Sequence, residues 1–162
     1  AAQQSPRGTE VWMQRGLHLA AGREFGAAAQ DFTRVLLLQP RNSAALAARA
    51  RAWAAMGDRT RAMADCESCL AIRTDKDALS LRGDLWLQQD DLEKALADYE
   101  AAERFDEQVA QAYELRAAAH AKAGRQAEAA ADKSRAAEIR TALAAPETQI
   151  PAAAAADPSF NP

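Results

Sequence analysis

The sequence predicts an all-α protein built from four stacked helix-turn-helix units, eight helices in sum, and three observations predict it. First, the best helix former is abundant and the sheet formers are scarce: 44 of 162 residues are Ala, while Val and Ile occur only as Val11, Val35, Val109, Ile72, Ile139 and Ile150. Second, every Pro lies at Pro6, Pro40 or from Pro146 onward, so residues 41–145 lack the one residue that breaks a helix interior. Third, the chain repeats itself. Arg15, Arg49, Arg82 and Arg116 are spaced by 34, 33 and 34 residues, a period characteristic of stacked helix pairs.

The register is tight. Each Arg precedes a small residue (Gly16, Ala50, Gly83, Ala117) and is followed sixteen positions later by Asp31, Asp65, Asp98 or Asp132. Three residues before each Asp stands Ala28, Ala62, Ala95 or Ala129, and four after it Val35, Cys69, Ala102 or Ala136. Each unit breaks once near its middle, at Ala21-Gly22-Arg23, Met56-Gly57-Asp58, Gln89-Asp90-Asp91 and Ala123-Gly124-Arg125, which are turn or helix-stop signals. In order, the elements are helices over about 9–21 and 25–38, about 43–56 and 59–73, about 76–89 and 92–105, and about 109–123 and 126–144. The corresponding organisation is an N-terminal extension (1–8), repeats over 9–42, 43–75, 76–109 and 110–145, and a Pro/Ala-rich tail (146–162).

Small residues at fixed places let two antiparallel helices approach closely, with Trp12, Trp53, Trp86 and Tyr113 as large partners that fill the adjacent space. One hairpin cannot bury both its faces, so neighbours stack and stability arises from nearest-neighbour interfaces. The invariant Arg-to-Asp offset is read as an internal ion pair across each hairpin: Arg15 with Asp31, Arg49 with Asp65, Arg82 with Asp98 and Arg116 with Asp132. A ligand-binding device would not require the Asp to track the Arg.

Composition bounds the function. A formal net charge of −3 and a pI near 5.5 argue against nucleic acid, whose binding needs clustered Lys and Arg. No run approaches the roughly 20 apolar residues that span a bilayer. Ala1-Ala2-Gln3-Gln4 is what a signal peptidase leaves behind a small-residue site, and a fragment boundary gives the same picture, so export to the periplasm and a cytoplasmic location both stay open. Cys66-Glu67-Ser68-Cys69 is the only CxxC. With no second pair and no nearby His, both thiols are expected to be buried and inert, with no metal held. His120, in the slot of Trp53 and Trp86, is expected to be a partly buried packing residue. No nucleophile triad, phosphate loop or paired carboxylates are present, so no catalytic residue, enzyme activity or cofactor is expected. Residues 76–109 carry ten acids against four bases, a candidate acidic face for a basic partner. The terminal face around Ile139 and Leu143 is expected to be partly open, for the tail residues Ile150 and Phe160, a second copy or a larger complex to cover.

Trp12, Gly16, Ala28, Phe32 and Pro40 in the first unit, and the two small residues kept in the others, resemble the tetratricopeptide repeat (TPR) family over about residues 9–145. Two features depart from it: Thr74 and Glu107 replace the closing Pro, and Lys133 the aromatic of the last unit. The resemblance implies a right-handed α-solenoid whose first helices line a concave groove for a protein or peptide partner. By register, that groove offers Met13, Gln14, Leu17, Ala20, Ala47, Arg51, Ala54, Ser80, Asp84, Leu87, Glu114, Ala118 and Lys122. Arg51 and Lys122 are expected to meet a partner's acids, and Asp84 and Glu114 its bases. The subset that grips a C-terminal carboxylate uses Lys, Asn and Arg in slots held here by Met13, Leu17, Ala48, Asp77 and Leu81. One repeat further along, the slots hold Ala47, Arg51, Leu81, Gln111 and Leu115, so that clamp is missing in both registers. The resemblance thus implies a non-enzymatic scaffold, adaptor or assembly factor, or alternatively a structural subunit of a larger, periplasmic or membrane-associated complex.

Overall fold

A computed structural model describes residues 6–145; the expectations for the N-terminal extension and for the tail, with Ile150 and Phe160, fall mostly or wholly outside them. The described residues form α1 (Pro6–Ala21), α2 (Phe25–Leu38), α3 (Ser43–Ala55), α4 (Arg59–Leu70), α5 (Lys76–Leu87), α6 (Leu92–Ala101), α7 (Glu107–Lys122) and α8 (Gln126–Ala144), with no strand. Helix α1 starts three residues earlier than the repeat register suggests, because Pro6 sits at its first position, where a missing N–H costs nothing. Helices α4 and α6 stop three and four residues early, so the connectors between hairpins are longer than expected.

Local chemistry accounts for the starts. Asn42, Asp58, Asp75, Asp91 and Asp106 each accept a hydrogen bond from the backbone N–H three residues on, capping α3, α4, α5, α6 and α7. Within each hairpin the turn uses one left-handed residue in the same place: Arg23 (φ 64°), Gly57 (80°), Asp90 (59°) and Gly124 (77°). Gly adopts that conformation freely and Arg does not, so the first turn carries strain that the second and fourth avoid.

Packing follows the chain. Each first helix lies against its own second helix, and each second helix against the first helix of the next hairpin, giving a one-dimensional stack. The first helices also touch one another, α1 with α3 and α3 with α5, which puts them on the inner side of the stack's curve. In hairpins one and three the first and second helices close on a glycine and an aromatic ring. A Cβ built on Gly16 would lie 2.6 Å from Phe32 Cε1, and one on Gly83 2.6 Å from Tyr99 Cε1. Hairpins two and four hold Ala50 and Ala117 there, with Cys66 and Lys133 in the ring's slot. Tyr113 is buried as expected, whereas Trp12, Trp53 and Trp86 are half-buried at the edge, with Arg61 4.7 Å above the Trp53 ring and Lys94 4.2 Å above Trp86.

The last hairpin differs from expectation at one point. Ile139 is buried with Tyr99, Val109, Ala112 and Tyr113, because the turn of α8 that carries it faces α7; Leu143, one turn on, is exposed. No helix is long and apolar enough to cross a membrane among the described residues.

Candidate functional site

The sixteen-residue offset brings every Arg onto its Asp. Nε and Nη2 of Arg15 donate to Asp31 at 2.5 Å each, of Arg49 to Asp65 at 2.8 Å each, of Arg82 to Asp98 at 2.8 and 2.7 Å, and of Arg116 to Asp132 at 2.9 and 2.8 Å. This is the two-bond fork that a planar guanidinium makes with a carboxylate, and all four Asp are buried. In two of the pairs the free Nη1 also reaches back one hairpin: Arg49 Nη1 donates to Thr33 Oγ1 and Arg116 Nη1 to Glu93 Oε2. Arg15 follows no hairpin among the described residues, and its side chain is 53% exposed, against 21–26% for the other three. The bond from Arg15, with the Arg34 charge adding to it, holds the Asp31 carboxyl below the usual range despite its burial. These eight residues occupy one side of every hairpin, and each Arg and Asp is committed to the other.

The inner face presents the residues named from the register in three groups. Met13, Ala20, Ala47 and Leu87 pack against or within the core clusters and form a floor. Ala54, Ser80 and Asp84 are half-buried; Gln14, Leu17, Arg51, Glu114, Ala118 and Lys122 are exposed. Leu17 is 43% exposed and Leu115, which the register places on the same side, 55%.

Most of the four charges named on this face already have a partner inside the chain. Arg51 Nη2 donates to Asp77 Oδ2 at 3.3 Å across the gap between α3 and α5. Both oxygens of Glu114 accept from Arg140 of α8, which also binds Glu107; those bonds hold both carboxyls below the usual range. Asp84 Oδ1 accepts from Tyr99 Oη at 2.8 Å, Arg104 Nη1 at 2.7 Å and Gln108 Nε2 at 3.0 Å. Lys122 alone of the four makes no bond to the described residues. Arg104, Gln108 and Arg140 are not singled out by the repeat: Arg104 stands in a connector and Gln108 at the start of α7, neither with a counterpart in the other hairpins, and Arg140 shares its slot only with Arg73.

The acid excess of residues 76–109 is spread the same way. Asp98 meets Arg82, Asp91 meets Lys94, Glu103 meets Lys76, Asp106 meets Arg104, Glu93 meets Arg116, and Glu100 accepts from the Tyr113 hydroxyl. The one hairpin of four that looks strongly acidic in sequence is therefore cross-linked to bases of its own and neighbouring hairpins.

The remaining candidates are structural in their surroundings. Cys66 and Cys69 are free and buried; burial first, and the Asp65 charge second, push the Cys66 thiol up to about 12, while Cys69 Sγ lies 3.4 Å from the Ser43 carbonyl. His120 is buried, with Nε2 3.5 Å from Asp132 Oδ2 and Nδ1 unpartnered, at the rim of an open concavity between the third and fourth hairpins.

Comparison with known proteins agrees with this architecture. No family model and no curated protein sequence matches the chain. Among solved structures, it superposes on MamA with a TM-score of 0.67 at 18% identity, covering 86% of this chain and 82% of that one. The first TPR of Spaghetti (RPAP3) bound to the HSP90 peptide SRMEEVD matches with a TM-score of 0.58 at 20% identity, over 90% of this chain and all of that one. The Sgt2 TPR domain from Aspergillus fumigatus matches at 0.55 and 21%, over 94% and 93%. At these identities the likeness shows the fold: four tetratricopeptide-type hairpins in an all-α solenoid.

Proposed function

We propose that the chain is a non-enzymatic protein-interaction module, a scaffold or assembly factor that holds an extended or helical segment of a partner along the inner face of α1, α3, α5 and α7. The observation that supports this reading is apolar surface on a face whose charges are mostly paired: Leu17 and Leu115 are exposed on it, and Met13, Ala47 and Leu87 pack beneath it. Apolar side chains of a bound segment gain burial there with little free charge to desolvate. A solved TPR structure of the same fold holds an acidic peptide, SRMEEVD, in complex. The basic clamp residues implied by the resemblance are replaced here by Met13, Leu17, Ala48, Asp77 and Leu81, so the fitting segment is apolar rather than an acidic chain terminus.

The test is selection of peptides from a random phage-displayed library, followed by fluorescence anisotropy on synthetic copies. Leu17→Glu with Leu115→Glu is expected to weaken binding at least tenfold and leave melting nearly unchanged, because both side chains are exposed. SRMEEVD serves as a non-binding control. Equal affinity for the parent and the double variant would overturn the groove reading.

A further inference from the structure

We infer that Asp84 is a pre-oriented anchor for a lysine or arginine side chain of the segment bound on the inner face; the inference rests on the groove reading and adds its charge specificity. The geometry sets Asp84 apart from the other acids of that face. Three donors from three different elements converge on a single oxygen: Tyr99 Oη from α6, Arg104 Nη1 from the α6–α7 connector and Gln108 Nε2 from α7 all bind Oδ1. None binds Oδ2. The side chain keeps 31% of its surface exposed on the stripe of Ser80 and Leu87, so one oxygen holds the carboxylate in place while the other carries no bond from the described residues.

The donors are themselves held. The Tyr99 ring is fully buried against Gly83. Arg104 is fixed by Nε on Asp106 Oδ2 at 2.6 Å, by Nη2 on Gln108 Oε1 at 2.8 Å, and by its place 4.9 Å above the Tyr99 ring. A carboxylate is an acceptor only, and one already ordered loses little entropy when it takes another donor. The charges select a cation over a neutral amide: Asp84 and Asp106 share one guanidinium, leaving the cluster with one formal negative charge in excess.

The other acids of the face fail one of these conditions. Both oxygens of Glu114 are occupied by Arg140. Asp77 is 70% exposed and held by one long bond from Arg51, so it is not oriented.

The experiment pans a random dodecamer library on phage in parallel against the parent protein and Asp84→Asn. Asparagine has the same shape, keeps an acceptor oxygen for the three donors, and turns an N–H₂ toward the groove in place of Oδ2. Peptides enriched on the parent are expected to carry Lys or Arg at one fixed place relative to their apolar residues, and those enriched on Asp84→Asn to lack it. Replacing that lysine by norleucine in a synthetic peptide should weaken parent binding about tenfold and leave Asp84→Asn binding unchanged. A second readout needs no variant: in the parent labelled with ¹³C at aspartate carboxyls, the Asp84 Cγ resonance should move with the lysine peptide and stay with the norleucine peptide. The same basic consensus on both proteins, or a silent Asp84 resonance, would overturn the anchor and leave the groove standing. Absence of any enriched peptide on the parent would overturn the groove reading and the anchor together.

Discussion

The sharpest test of the packing is Gly83→Ala, a substitution that improves local helix propensity and is nevertheless expected to destabilise the protein. An added Cβ would lie 2.6 and 2.8 Å from Tyr99 Cε1 and Cδ1 and 3.2 Å from the Ala95 carbonyl oxygen, closer than carbon contacts allow. The ring cannot swing aside, being fully buried with its hydroxyl bonded to Asp84. Overpacking costs about 1–3 kcal/mol, contacts below 3 Å with a buried ring lie in the upper part of that range at about 2–3 kcal/mol, and the propensity gain of Ala over Gly returns at most about 1 kcal/mol. The net loss is about 1–2 kcal/mol, or a fall in Tm of about 2–8 °C for a chain of this length, read by circular dichroism on heating and in urea. The second hairpin supplies the decisive control, since there Ala50 faces Cys66 where the third has Gly83 and Tyr99. Tyr99→Cys alone costs several kcal/mol in lost burial, but in that background Gly83→Ala should change sign and become neutral or stabilising. A neutral effect in the parent, or the same effect in both backgrounds, would refute the close-approach account of the hairpin.

Three further outcomes follow from the same geometry. Arg82→Met leaves the buried Asp98 carboxylate without either of its guanidinium bonds and should cost about 2–4 kcal/mol by urea denaturation, with the additional change Asp98→Leu recovering part of the loss. Arg23→Gly relieves the left-handed residue of the first turn and should stabilise by about 0.5–1 kcal/mol, while Gly57→Ala at the equivalent turn should destabilise by a similar amount; melting midpoints decide both. Because the Asp31 carboxyl titrates below its unfolded value, its contribution is complete above about pH 4 and is lost as the pH falls further; Asp31→Asn should therefore be less stable at neutral pH and show a shallower acid limb in urea midpoints measured from pH 7 to pH 3, and parallel curves would contradict this.

What could be read from residues alone was what recurs. The Arg and Asp slots each appear four times at one spacing, so hairpin, register and pairing are all visible before any coordinates. The partners of Asp84 and Glu114 are not, because Arg104 and Gln108 occur once each and Arg140 has only Arg73 in its slot, and a polar side chain that does not recur in every repeat has many partners within reach. The same reason made residues 76–109 look like a free acidic face: the bases that answer them include Arg116, which lies in the following hairpin. The burial of Ile139 is not legible in sequence because a terminal helix has no following unit to define its buried side; its position with Tyr99 and Tyr113 depends on the rotation of α8 against α7. The caps Asp58, Asp75, Asp91 and Asp106 carry a readable signal, an Asp just before each helix, and two of them, Asp91 and Asp106, belong to the acid excess of residues 76–109.

The backward reach of Nη1 has a consequence for how such a chain can change its length. Excising residues 43–75 would join Asn42 to Lys76 and shift everything downstream by one period. Arg82 would then stand where Arg49 stood, with Nη1 opposite Thr33, and Ala78 would take the place of Ala45 beside Leu36. No buried carboxylate would be orphaned, since Asp65 leaves together with Arg49. Removing this hairpin whole thus leaves the apolar contact of the joint and the remaining Arg–Asp pairs in place, and the inner face shortens by one hairpin.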